Sequence, residues 1–74
     1  MLASNFGWVT GLCASEQLRL GQNDRWFLAE AMTLGVGVVT ADQMMDRVGR
    51  AVTERTNRAE PLTQFIEVDR PQIR

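Results

Sequence analysis

The sequence contains no histidine, no lysine and no tyrosine, and Cys13 is the single cysteine among its 74 residues. Histidine is the usual general base and lysine the usual Schiff-base amine, while serine and cysteine nucleophiles need a neighbouring base to activate them. A structural zinc ion needs clustered cysteine and histidine ligands. The composition therefore predicts a protein that is not an enzyme and that holds no metal ion or other cofactor.

A strong charge of one sign and a long apolar run are also missing. Eight basic residues, all arginine, stand against nine acidic ones, so the whole chain creates no positive field that attracts nucleic acid. The first residues carry no basic side chain before Arg19, and polar residues and glycines interrupt them, unlike a signal peptide or a membrane span. One unpaired cysteine fits a reducing compartment. We therefore expect a cytoplasmic protein without membrane contact.

The length and the 45% hydrophobic composition predict one small domain over residues 1–74. Apolar residues recur at helical spacing in three segments, and they alternate with polar residues after Pro61. The predicted elements are helices over about residues 3–20, 24–34 and 41–57, a strand over about 62–68 and a frayed tail at about 70–74. The predicted fold is mainly α, a compact three-helix bundle with a short C-terminal β-strand.

The predicted strand needs a partner, because a lone strand leaves its backbone hydrogen-bonding groups unsatisfied. Residues 36–39 can pair with it inside the chain, and the third helix then serves as the crossover between two parallel strands. The alternative is that a second copy, or another protein, adds a strand at an exposed edge.

In the second helix, Phe27, Ala31 and Leu34 recur at helical spacing, with Leu28 and Met32 alongside. This spacing predicts that they form the buried stripe of the helix. Arg25 and Glu30 are predicted to lie on its solvent side.

The third predicted helix has a recognisable start. Residues 40–43, TADQ, have the sequence of a capping box, in which the Thr40 hydroxyl accepts a hydrogen bond from the Gln43 amide. Asp42 and Asp46 then lie one helical turn apart. They form either a solvated acidic turn at the helix N-terminus or a pair of ligands for a hard cation such as Mg²⁺.

The polar face of the third helix is a candidate binding surface. Gln43, Arg47, Arg50 and Arg58 project from the side opposite the apolar stripe, and such side chains can contact base edges and phosphates of DNA. The alternative is a solvated face with ion pairs between residues one turn apart: Glu54 with Arg50 or Arg58, and Asp46 with Arg50.

The segment LAEAMTLGV, residues 28–36, resembles the first helix and turn of helix-turn-helix repressors. Ala31 and Gly35 match the small residue and the glycine four positions later, and Val36 matches the apolar residue after the turn. Glu30 stands where these repressors have an apolar residue, and the connection to the third helix is longer than their tight turn. The resemblance implies a DNA-binding transcriptional regulator that uses the polar face of that helix.

Apolar side chains in excess of a thin core predict a protein partner, and exposed tryptophans are common interface anchors. The candidate partner-binding residues are Trp8, Trp26, Phe65, Ile66 and Val68. The leading expectation is a small protein-protein interaction module, a regulator or adaptor that works as a homodimer. A DNA-binding regulator is the alternative, and no residue pattern indicates a small-molecule substrate.

Overall fold

The computed structural model describes residues 1–67, which form three helices and a two-stranded parallel sheet. The elements are α1 (Leu2–Glu16), α2 (Gln22–Leu34), β1 (Val38–Thr40), α3 (Gln43–Thr56) and β2 (Thr63–Phe65). The prediction of a mainly α fold with three helices and a short C-terminal strand is confirmed. The predicted end of that strand at Val68, and the predicted tail, lie outside the described residues.

The two strands pair with each other inside the chain. Val38 lies opposite Thr63, and the Val38 N–H donates to the carbonyl of Leu62 at 2.8 Å. At the other end of the pair, the Ile66 N–H donates to the carbonyl of Thr40 at 2.9 Å. The C-terminal strand therefore pairs inside the chain, with α3 as the crossover between two parallel strands. This confirms the first of the two predicted alternatives.

One hydrophobic core joins the helices to the segment that leads into β2. Helix α1 packs against both α2 and α3, and α3 also packs against the sheet. The buried core residues are Val9, Leu12, Cys13, Leu20, Leu28, Ala31, Met45, Val48, Val52 and Leu62. Full burial of an aliphatic side chain stabilises a fold by about 1.5–3 kcal/mol, so these contacts hold the helices together.

Helix α1 ends at Glu16, earlier than predicted. Gln17 adopts a left-handed conformation with φ 57°, and the N–H of Leu18 donates to the carbonyl of Cys13 at 2.8 Å. This left-handed cap closes the helix and turns the chain. The early end lets Leu20 enter the core, where it is buried.

Helix α3 begins at Gln43, and Asp42 caps it in place of Thr40. The Asp42 carboxylate accepts hydrogen bonds from the N–H groups of Met44 and Met45 at 2.8 and 3.2 Å. The Thr40 hydroxyl instead accepts from the Asp42 N–H at 3.0 Å. The predicted capping box is therefore wrong by two residues, because the backbone becomes helical only from Gln43 onward, and Asp42 is the residue directly before the helix.

Candidate functional site

The residues that were predicted to bind a partner do not form one surface. Trp8 is exposed and lies near Arg55, at the junction of α1 and α3. Phe65 is half-buried in a cleft beside α3, and Ile66, directly after β2, is exposed. Val68 lies outside the described residues. Trp8 and Phe65 therefore line different clefts, and the proposed anchors do not share one site.

Trp26 has a structural role between α1 and α2. Its ring stacks on Phe6 with a centroid distance of 3.8 Å. Arg25 lies beside this pair, 5.6 Å from the centre of the Phe6 ring, and its Nε donates to Thr10 Oγ1 at 3.1 Å. The prediction that Arg25 lies on the solvent side was wrong, since these contacts leave it half-buried.

An exposed apolar surface lies between α2 and β1. The exposed fractions of Phe27, Leu34 and Val36 are 52%, 70% and 50%. The apolar side chains enclose a groove of about 150 Å³. Its lining residues are Phe27, Glu30, Ala31, Leu34, Val36 and Val38. We call this set the α2–β1 groove; Glu30 is the one charged residue among those that line it.

The α2–β1 groove corrects the predicted orientation of α2. The buried residues of this helix are Leu28, Ala29 and Ala31, whereas Phe27 and Leu34 point to solvent. Apolar residues surround most of α2, so their spacing does not decide which side packs against α1. The signal available in the sequence was the number of apolar residues on this helix, which exceeds what one buried face can hold.

A second cleft brings together much of the predicted DNA-binding face. It measures about 370 Å³. Gln43, Arg47 and Arg50 line it together with Asp46 and Phe65. All three predicted residues, Gln43 and the two arginines, are exposed to solvent. Phe65 was assigned to a protein partner by sequence, and the fold places it here because β2 packs beside the first half of α3.

The fourth predicted member of this face, Arg58, does not line the cleft. It follows Asn57, the residue that ends α3 in a left-handed conformation. Its N–H donates to the carbonyl of Thr53 at 3.3 Å, and the residue is half-buried. The helix therefore brings together three of the four side chains.

Asp46 is buried and joins α3 to β2. Its Oδ2 accepts from Nε of Arg50 at 2.7 Å, and its Oδ1 accepts from the Thr63 hydroxyl at 3.2 Å. The hypothesis of a solvated acidic turn is therefore wrong for Asp46. Asp42 is occupied as the helix cap, and no cluster of three potential metal ligands occurs in residues 1–67.

Gly49 allows β2 to approach α3 closely. A Cβ atom at this position would lie 2.1 Å from Thr63 Oγ1 and 2.6 Å from Thr63 Cβ. Every residue other than glycine would therefore displace the strand. The close approach also brings the Thr63 hydroxyl within reach of Asp46, so one glycine sets the geometry of the whole contact.

The predicted ion pairs on α3 form only in part. The pair between Asp46 and Arg50 is confirmed. Glu54 has no ion pair among residues 1–67, whereas Arg55 pairs with Glu16 of α1. The Arg55 pair crosses between helices, so spacing along α3 could not predict it.

The Cys13 thiol belongs to the core. Burial raises the pKa of Cys13 above its ordinary value, and the positive charge of Arg25 opposes part of this effect. The side chain therefore remains a protonated thiol at neutral pH, and it packs as a small apolar group.

The connection between α2 and α3 differs from the turn of helix-turn-helix repressors. It contains β1, and α2 packs chiefly against α1. Comparison of the chain with protein-family models, curated proteins and solved structures found no match. None of the three helices in the described part combines the length and the hydropathy that a membrane span requires.

Proposed function

We propose that this protein is a small, non-enzymatic interaction module that acts as a regulator or adaptor, and that the α2–β1 groove is its binding surface. The observation that carries the proposal is the exposure of Phe27, Leu34 and Val36 around one groove. Contiguous exposed apolar surface on a small protein commonly marks a protein interface. The lone Cys13 fits action in the cytoplasm.

The size of the groove supports a protein partner. Sites for small molecules and cofactors usually enclose about 300–1,000 Å³, whereas this groove encloses about 150 Å³. It has room for one or two side chains. Its apolar walls with a single acidic residue, Glu30, match the apolar centre and polar rim of an interface.

We expect Leu34→Glu to weaken partner binding at least about tenfold, because the new charge loses its hydration when the interface closes. Folding should be little affected, since Leu34 is 70% exposed and a negative charge in the last turn of a helix costs at most about 1 kcal/mol. The measurement is affinity purification with the tagged chain from its own cells, followed by titration of the purified partner. Asn23→Glu is the matched control, since it adds the same charge at an exposed position of the same helix. Equal retention of every partner by both variants would contradict the proposal.

A DNA-binding regulator remains the second candidate function. The observation in its favour is the cleft where Gln43, Arg47 and Arg50 meet. Opposing it, the segment from Thr40 to Arg58 carries four arginines and three acidic residues, a net charge of 4 − 3 = +1, and DNA affinity comes largely from neutralised phosphates.

If this face binds DNA, affinity for a labelled duplex will fall steeply as salt rises, and Arg47→Ala will reduce the slope of log K against log salt by about one. Arg19→Ala is the control, because Arg19 is an exposed arginine in the connection between α1 and α2. Absence of binding even at low salt removes this candidate. An equal effect of the two substitutions would indicate a nonspecific contact with no role for the cleft.

A further inference from the structure

The outer edge of β1 is open. In a parallel pair, alternate residues of a strand direct their N–H and C=O groups to the same neighbour. Val38 and Thr40 direct their N–H and C=O groups toward β2. The Val38 N–H donates to the carbonyl of Leu62, and the Thr40 carbonyl accepts from the N–H of Ile66. Val39 therefore directs its N–H and C=O away from β2. In the part of the chain that the structure describes, no strand lies on that side.

The open edge is short, at three residues, but it lacks the other features that usually protect one. Edge strands commonly carry charged residues, proline or bulges that prevent pairing with another chain. From Ala31 to Ala41 the sequence has neither a charged residue nor a proline. The flanking residues Gly37 and Ala41 are small, and the Val39 side chain is 63% exposed. A second strand can therefore approach Val39 without steric or electrostatic conflict.

We propose that a second copy of this chain docks on this edge, so that the two β1 strands pair antiparallel about a two-fold axis with Val39 opposite Val39. This inference rests on the proposed function and names the partner of the α2–β1 groove. Val36 and Val38 line that groove and flank the edge in sequence, so the groove continues into the strand. The two β1 strands become the centre of a four-stranded sheet.

The absence of charge on this edge favours a second copy over a different protein. A two-fold interface places each residue near its own counterpart, so any charge close to the axis would meet a like charge. No charged residue lies between Glu30 and Asp42. The Val39 pair instead joins two β-branched side chains across the strands and lets the two residues exchange both backbone hydrogen bonds.

Substitution of Val39 by residues of opposite charge, tested separately and as a mixture, tests this arrangement. Val39→Lys and Val39→Asp each place like charges opposite one another in the homodimer. We expect each variant alone to dissociate at least about tenfold more readily than the unmodified chain, and an equimolar mixture to recover the dimer. The measurement is sedimentation velocity of the full chain over a range of concentrations, with circular dichroism to verify folding. Val39→Thr keeps the N–H, the branching and the neutrality, and it is expected to remain dimeric.

The outcomes separate this inference from the proposed function. A monomeric unmodified chain, or a dimer that neither charged variant weakens, overturns the pairing of β1 strands. The pairing is also overturned if the charged variants dissociate but do not form a dimer when mixed. That result would mean that Val39 does not lie opposite Val39 of the second copy. If Leu34→Glu still loses a partner that Asn23→Glu retains, the groove binds a different protein and the proposed function stands. If Leu34→Glu loses nothing either, both proposals fail.

Discussion

Replacement of Gly49 by alanine is expected to lower the free energy of unfolding by about 2 kcal/mol. The added Cβ would overlap Thr63 Oγ1, Cγ2 and Cβ at 2.1, 2.3 and 2.6 Å. Overpacking a tight site costs about 1–3 kcal/mol and sometimes more, while alanine improves helix propensity by about 1 kcal/mol over glycine. The overlap dominates because Thr63 is a short, branched residue of β2, so relief requires movement of the strand backbone.

Thermal and urea denaturation measure this effect, and a decrease of about 10 °C in Tm is expected for a domain of this size. Gly11→Ala is the matched control. Gly11 also lies inside a helix, but apart from the adjoining residues and the backbone of α1 no heavy atom lies within 4 Å of a Cβ built there, so alanine should stabilise α1 by about 0.5–1 kcal/mol. Stabilisation by both substitutions would show that α3 and β2 do not approach as closely as described.

The Gly49 substitution should also affect binding. β2 pairs with β1, and α3 holds β2 through Gly49 and Thr63. A displaced β2 would leave β1 without its inner neighbour and without a fixed edge. If the β1 edge forms the homodimer, Gly49→Ala will weaken the dimer beyond the effect of lowered stability, which sedimentation velocity can detect. Faster hydrogen exchange of the Val38 amide will report the displacement of β2, because this N–H donates to Leu62.

Asp46→Ala is expected to destabilise the fold by about 2 kcal/mol. The carboxylate is buried and accepts hydrogen bonds from the Thr63 hydroxyl and from Arg50 Nε. Hydrogen bonds to a charged group contribute about 1.5–3 kcal/mol each, and the recovered hydration cost of the buried carboxylate offsets part of this loss. The Arg50 side chain is mostly exposed, so its ion pair with Asp46 contributes little to the stability of the fold.

A double-mutant cycle isolates the contact between α3 and β2. Thr63→Val removes the hydroxyl donor with little change in shape, and we expect a coupling energy of about 1 kcal/mol between this change and Asp46→Ala. Glu54→Ala is the control on the same helix, since Glu54 is exposed and should change stability by less than about 0.5 kcal/mol. Additive effects of Asp46→Ala and Thr63→Val would show that the Thr63 hydroxyl and the Asp46 carboxylate do not interact.

The core of α3 and the ends of the helices show what could be predicted from sequence. Met45, Val48 and Val52 recur at helical spacing in α3, which indicates one apolar face, and all three are buried. Gly35 ends α2 in a left-handed conformation, as the position of a glycine after an apolar helix indicates. The errors at α1 and α3 concern where each helix ends or begins. Helix α1 ends before Leu20, which packs in the core, and α3 begins directly after Asp42.

The candidate surfaces were less predictable. Gln43, Arg47 and Arg50 share one face of α3 through helical geometry alone, and they meet in one cleft as expected. Phe65 joins them only because the chain returns to place β2 beside α3. Phe27 and Leu34 were assigned to the core, and they line an open groove instead.

The sequence by itself determined the three helices and the absence of the usual catalytic side chains. These features depend on spacing along the chain and on residue type, which are local properties. Only the tertiary structure decided which side of α2 is buried, why Asp46 and Gly49 are needed, and that Val39 lies on an open edge. Those features depend on contacts between residues distant in sequence, such as Thr63 with Asp46, and a periodic pattern carries no information about which elements meet.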